Sequence, residues 1–172
     1  RAWESPLEAI FPSYAEEVLS KPEMFNYEKR SNRSPGVTLA SPRVFIPVFP
    51  GTNCEYDTVR AFEKAGAAPD VMVINNLTSR EIDESLEQMA RRIKNAQILM
   101  LPGGLSGDEP VSTAKIIAAA FHNSAVKDAV MDLLDKRDGL ILGIGSGFQA
   151  LIKLGLIPFG EIRNLNSNSP AL

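Results

Sequence analysis

From residue 43 onward the chain alternates between two hydrophobic rhythms. RVFIPVF, VMVINN, QILMLP and GLILG are short apolar runs, the mark of strands buried within a sheet. Between them apolar residues recur at helical spacing. CEYDTVRAFEKAG is the first such stretch, with Thr52 and Glu55 in capping-box register and Gly66 as a left-handed stop. Thr78 and Glu81 offer a second capping box, followed by Ile82, Leu86, Met89 and Ile93 on one helical stripe. Ser112 to Phe121 and Ala125 to Lys136 predict two helices parted near His122 to Ser124, and Phe148 to Leu154 predicts another, stopped by Gly155. Apolar strands alternating with helices predict an α/β fold, a doubly wound, mostly parallel sheet covered on both faces. Right-handed crossovers then bring PGTN, NNLT, PGGLSGD and GIGSG to one sheet edge, where such folds bind ligands.

Residues 1–41 lack this rhythm. They hold Pro6, Pro12, Pro22 and Pro35 and the polar tract KRSNRSPG, which predicts a linker or wrap-around arm that Trp3, Leu7, Ile10 and Phe11 could pin to a neighbour. The patterned domain is expected over 42–172. Its polar tail, RNLNSNSPAL, predicts a sheet incomplete at the C-terminus, and a start without Met suggests a fragment.

Composition narrows the function. At 172 residues the chain is about one domain long, and a net charge of −3 with interspersed Lys and Arg gives no basic footprint for nucleic acid. The single Cys54 forbids an internal disulfide and fits a reducing cytosol, while the absence of an 18-residue apolar run argues against a membrane span. A cytoplasmic protein is expected.

LILGIGSGFQ, at Leu140 to Gln149, is a strand that ends in closely spaced glycines and turns helical. A dinucleotide-binding turn would need its third glycine where Phe148 stands and a carboxylate closing a later strand, whereas Glu161 sits in PFGEIRN, no clear strand. A serine nucleophile would need glycines at Ile144 and Phe148, and the lone histidine, His122, fits a helix end better than a catalytic base. Read as an elbow, GIGSG puts Gly145 at the nucleophile position, so the cysteine chemistry lacks its thiol.

The surroundings are more informative. FPGTNCEYD, LPGGLSGDEP and DGLILGIGSGFQALIKLGLIPFG, in this order and spacing, resemble the glutamine amidotransferase domain of phosphoribosylformylglycinamidine synthase in its long single-chain form. The resemblance runs from Arg43 to about Ile162, and AWESPLEAIFPS is similar to the segment leading into that domain. It implies a flavodoxin-like class I amidotransferase with a Cys-His-Glu triad: the thiol attacks the glutamine amide, releases ammonia and leaves a thioester that water hydrolyses. Ammonia would pass to a synthetase domain of the same polypeptide, where ATP and Mg drive conversion of formylglycinamide ribonucleotide to the amidine. The amidotransferase domain itself would need no cofactor and no metal. Carried over by position, Gly145 is the nucleophile site, Gly104, Leu105 and Ser146 supply the oxyanion hole, and Gly103, Gln149 and Asn53 bind glutamine.

Gly103 and Gly104 fit a backbone that a ligand must approach closely. Cys54 is expected to be structural, Asn53 and Glu55 to cap the first helix, and Asp108 and Glu109 to border the pocket or a solvated loop. The charges from Arg80 to Lys94 predict a solvated helix face. Three departures bear on activity: the family's GICNGFQ is GIGSGFQ here, no histidine follows position 122, and PGGLSGDEP is one residue short of the family's segment. The chain is therefore expected not to hydrolyse glutamine by the family mechanism. The alternative is a non-catalytic α/β binding module, a pseudo-amidotransferase or dinucleotide binder.

Overall fold

A computed structural model describes residues 39–104, 112–166 and 169. The arm expected over 1–41 thus falls, up to residue 38, outside the described residues. Four strands, β1 (Arg43–Val48), β2 (Ala68–Val73), β3 (Ile98–Leu101) and β4 (Leu140–Gly143), form one sheet in the order β2-β1-β3-β4. Every pairing is parallel, with Ile46 opposite Val71, Val44 opposite Ile98, and Ile98 opposite Leu140. Between the strands run α1 (Glu55–Lys64), α2 (Ser79–Asn95), and the pair α3 (Ser112–Phe121) and α4 (Ser124–Asp135); α5 (Ser146–Lys153) and α6 (Leu156–Phe159) follow β4. This is the expected doubly wound α/β sheet.

Alternation along each strand divides the core. Phe45, Met72, Leu99 and Leu101 join Met89 and Ile93 of α2, Ile117 and Phe121 of α3, Val130 and Leu133 of α4, and Leu151 of α5. On the opposite face Val44, Ile46 and Met100 meet Val59 and Phe62 of α1. Among the described residues, cover on that second face is partial where the sequence predicts cover on both. One helix about 10 Å across spans roughly two strands spaced at about 4.8 Å, so α1 shields the centre and leaves the outer strands open. Val73 of β2 is 62% exposed and Leu140 of β4 is 64% exposed.

Element ends follow local chemistry with informative exceptions. At α2 the capping box forms: Thr78 Oγ1 accepts from the Glu81 amide at 3.2 Å, and the Glu81 carboxylate accepts from the Thr78 amide at 3.0 Å. The capping box expected at Thr52 and Glu55 does not. Thr52 Oγ1 turns back to Phe49, accepting from its amide at 3.0 Å and donating to its carbonyl at 2.9 Å, which closes the PGTN turn. Cys54 becomes the residue ahead of α1, left-handed at φ 70° and without a side-chain cap, so neither Asn53 nor Glu55 caps that helix. Gly66, at φ 84°, stops the chain after α1 as expected. β2 starts at Ala68 rather than Val71, because its first residues pair with Arg43 to Phe45, and Pro69 is tolerated on an edge strand. Helix α5 opens at Ser146, ahead of the expected Phe148, because the bend at Gly145 is sharp enough to start it at once.

At the far end of α2, Arg137 donates to the carbonyls of Ile93, Lys94 and Ala96 at 2.9, 2.8 and 2.9 Å, satisfying acceptors that a helix C-terminus leaves open. Asp132 holds it at 3.0 Å and Lys136 at 3.2 Å. The hydrogen bond from Lys136 lowers the Asp132 pKa first, against a smaller effect of burial, with Arg137 adding to the lowering. Arg80–Glu84 and Arg91–Glu87 lie on the solvated face of α2, but Arg92 crosses to pair with Asp70 of β2, so that charge pattern also ties helix to sheet.

Candidate functional site

Three of the four strand-end loops meet through their backbones. The Asn53 amide donates to the Gly103 carbonyl at 2.9 Å, binding PGTN to the end of β3. The Ile144 amide donates to the Leu101 carbonyl at 3.1 Å, extending the β3–β4 pairing into the bend. The Ser146 hydroxyl, in a side chain that is almost fully buried, donates to the Gly104 carbonyl. Positions 104 and 145 therefore share one edge of the sheet, as the right-handed crossovers require.

At the bend, Gly145 has φ 55° and ψ −116°, a conformation glycine adopts without strain. Among the described residues, a Cβ built there meets nothing closer than the Gly103 Cα at 3.6 Å, an ordinary contact. The position thus has room for a side chain directed at the end of β3, and Gly145 itself is exposed. Ser146 opens α5, where an amide has no acceptor within the helix and the dipole favours negative charge. Gln149, one turn on, donates its amide to the Gly145 carbonyl at 3.0 Å, and its Oε1 is buried without a hydrogen-bond partner. Residues four apart share a helix face, so Gln149 stands beneath the bend.

The neighbouring glycines are required by contacts within the fold itself. A Cβ on Gly104 would lie 2.2 Å from the Gly51 carbonyl oxygen and 2.7 Å from the Asn53 nitrogen. One on Gly147 would lie 2.2 Å from the Leu101 oxygen, and one on Gly143 would lie 2.8 Å from the Gly147 backbone. Loop against loop excludes the side chain at Gly104. Gly103 has its Cβ position 3.1 Å from the Ile144 oxygen, a tighter fit of the same kind.

Of the other expected site residues, Asn53 contributes its backbone to the junction, while its exposed side chain accepts from Cys54 Sγ at 3.1 Å. Cys54 is exposed, so any structural role lies in shaping the turn rather than filling the core. Leu105, Asp108 and Glu109 lie outside the described residues. His122 is exposed just past α3, its amide bonded to the Ala118 carbonyl at 3.1 Å, as the helix-end reading expects. Glu161 sits in a bend after α6, which removes the strand-end carboxylate of the dinucleotide reading. Among the described residues no group of three or more His, Cys, Asp or Glu could hold a metal ion, and no helix is long and apolar enough to cross a membrane. Sequence reasoning missed the part played by Ser146 Oγ, a bond between residues 42 positions apart for which no local pattern codes.

Comparison with known proteins gives this arrangement a lineage. The phosphoribosylformylglycinamidine synthase subunit PurQ of Methanococcus maripaludis is 32% identical over 134 residues, covering 74% of this chain and 45% of that protein. Those of Treponema denticola and Campylobacter jejuni are 33% and 34% identical over 120 and 127 residues, covering 70% and 74% of this chain and 40% and 48% of theirs. The chain thus spans less than half the length of these curated relatives. A solved structure titled PurLQS, from Thermotoga maritima, is 28% identical, with a TM-score of 0.44 over 67% of this chain and 45% of that one. The family described as the CobB/CobQ-like glutamine amidotransferase domain matches residues 41–172, most of the sequence, and the chain belongs to that family.

Proposed function

We propose that this chain is the amidotransferase module of a phosphoribosylformylglycinamidine synthase, shaped for glutamine but without a nucleophile of its own. The observation that carries the proposal is the bend at Gly145, whose Cβ direction faces Gly103 at 3.6 Å with space for a side chain. A thiol there would sit at the start of α5, where the helix dipole stabilises a thiolate, and would attack a carbonyl at the end of β3. The amides of Ser146 and of Gly104 or Leu105 would receive the oxyanion, and Gly103, Asn53 and Gln149 would hold the substrate. The unpaired Gln149 Oε1 supports this assignment, since it is an acceptor awaiting a donor such as an amide or ammonium group.

With hydrogen in place of the thiol, no thioester forms and no ammonia is released. The module binds glutamine without consuming it, in the cytoplasm, beside a synthetase that uses ATP and Mg; the module itself carries no cofactor. The relatives are named as subunits. The resemblance of AWESPLEAIFPS to the segment leading into the domain favours the single-chain arrangement for this protein.

Calorimetry on the complete protein tests this reading. Saturable glutamine binding with no ammonia production is the expected result. Binding of NAD without binding of glutamine would overturn it in favour of a dinucleotide module.

A further inference from the structure

A cavity of about 380 Å³ opens on the α1 side of the sheet, lined by Val48, Glu55, Tyr56, Val59, Val71 and Val73. Its volume lies at the small end of the range typical of ligand pockets. Four valines from β1, α1 and β2 make apolar walls, and Glu55 is the one charged residue among them. The Oε2 atom of Glu55 is buried and has no hydrogen-bond partner. Such an oxygen is costly unless a donor meets it. Glu55 is a carboxylic acid in the first turn of α1, and the donors that match such an oxygen best are cationic, because charge-assisted hydrogen bonds are the strong ones. Tyr56, mostly exposed, adds an aromatic face that cations also favour.

We propose that this cavity binds a small organic cation, a guanidinium or ammonium group on a short apolar stem, with the charge on Glu55 and the stem along Val59, Val71 and Val73. The alternatives fit the lining less well. One carboxylate among valines falls short of the six to eight oxygens that calcium takes. A water would find too few polar partners there. An anion would face the carboxylate. No residue of the Gly145 bend takes part, so this site stands or falls apart from the proposed function.

The test is titration of the complete protein with n-butylguanidinium, followed by calorimetry and by amide chemical shifts. Saturable binding is expected, with shifts at Val59, Val71 and Val73. The neutral isostere n-butylurea should bind about tenfold more weakly, and Glu55→Gln should weaken the cation by about tenfold, the scale of one charge-assisted hydrogen bond. Val73→Phe, at an exposed position, keeps Glu55 and blocks the cavity with a ring, and it should abolish the shifts. No saturable binding, equal affinity for the neutral isostere, or full binding by either folded variant would each overturn the proposal.

Discussion

Putting a thiol at the bend tests the geometry most directly. In Gly145→Cys the new Cβ has its nearest neighbour among the described residues, the Gly103 Cα, at 3.6 Å, so no steric clash with them is expected. The cost lies in the backbone, since φ 55° with ψ −116° is strained for an L-residue, by about 1–3 kcal/mol. For a domain of this size that lowers Tm by roughly 2–12 °C. Reactivity should change in the opposite sense. The start of α5 stabilises a thiolate by about 0.3–1 kcal/mol, or roughly 0.2–0.7 of a pKa unit. Its first turn holds no acid, whereas α1, next to Cys54, has Glu55 and Asp57. The introduced thiol should therefore react with iodoacetamide about two to five times faster than Cys54 at neutral pH. With a chloroketone analogue of glutamine the ratio should widen, because the proposed glutamine site would present the electrophile to the thiol. Peptide mass mapping of timed reactions in the complete protein reads both ratios. Equal labelling of the two thiols by both reagents would refute the elbow assignment, and a stability loss well beyond 3 kcal/mol would refute the claim of space.

Gly147→Ala inserts a methyl group 2.2 Å from the Leu101 carbonyl oxygen, and should cost about 1–3 kcal/mol or more in urea denaturation although alanine is the better helix former. A neutral or stabilising result would mean that α5 does not approach β3 so closely. Asp132 has its pKa lowered from 3.8 in the folded protein, chiefly by Lys136, so the stability it contributes is complete above the unfolded value and fades as pH falls through the lowered one. The stability gap between the native protein and Asp132→Asn should accordingly be constant near neutrality and shrink in acid below that value; a gap that persists in acid would argue against the ion pair.

What the sequence makes legible is what neighbouring residues decide. The capping box at Thr78 and Glu81 involves residues three apart, and it forms; of the stripe Ile82, Leu86, Met89 and Ile93, the last two are fully buried, Leu86 is partly buried, and Ile82, in the first turn, is exposed. The same pattern at Thr52 and Glu55 fails because a hydroxyl has two ways to be satisfied, and the tight turn after β1 brings the Phe49 amide and carbonyl within reach first. The start of β2 was hidden by Pro69 and Asp70, residues that strands disfavour, because the pairing that extends it comes from β1. At the site, the clustering of glycines followed from crossover handedness alone. Their individual reasons did not, because Gly104 answers to Gly51 and Asn53, and Gly147 to Leu101, across gaps in sequence that only the folded chain closes.

The bend at residue 145 takes its form from Gly104, Gly143 and Gly147, none of which is the residue at its apex. Architecture and reactivity are consequently inherited separately. Two of the four glycine codons lie a single base from a cysteine codon, so a lineage holding this scaffold with one of them stands one substitution from a thiol at the apex, and a lineage with the thiol can shed it and keep the mould.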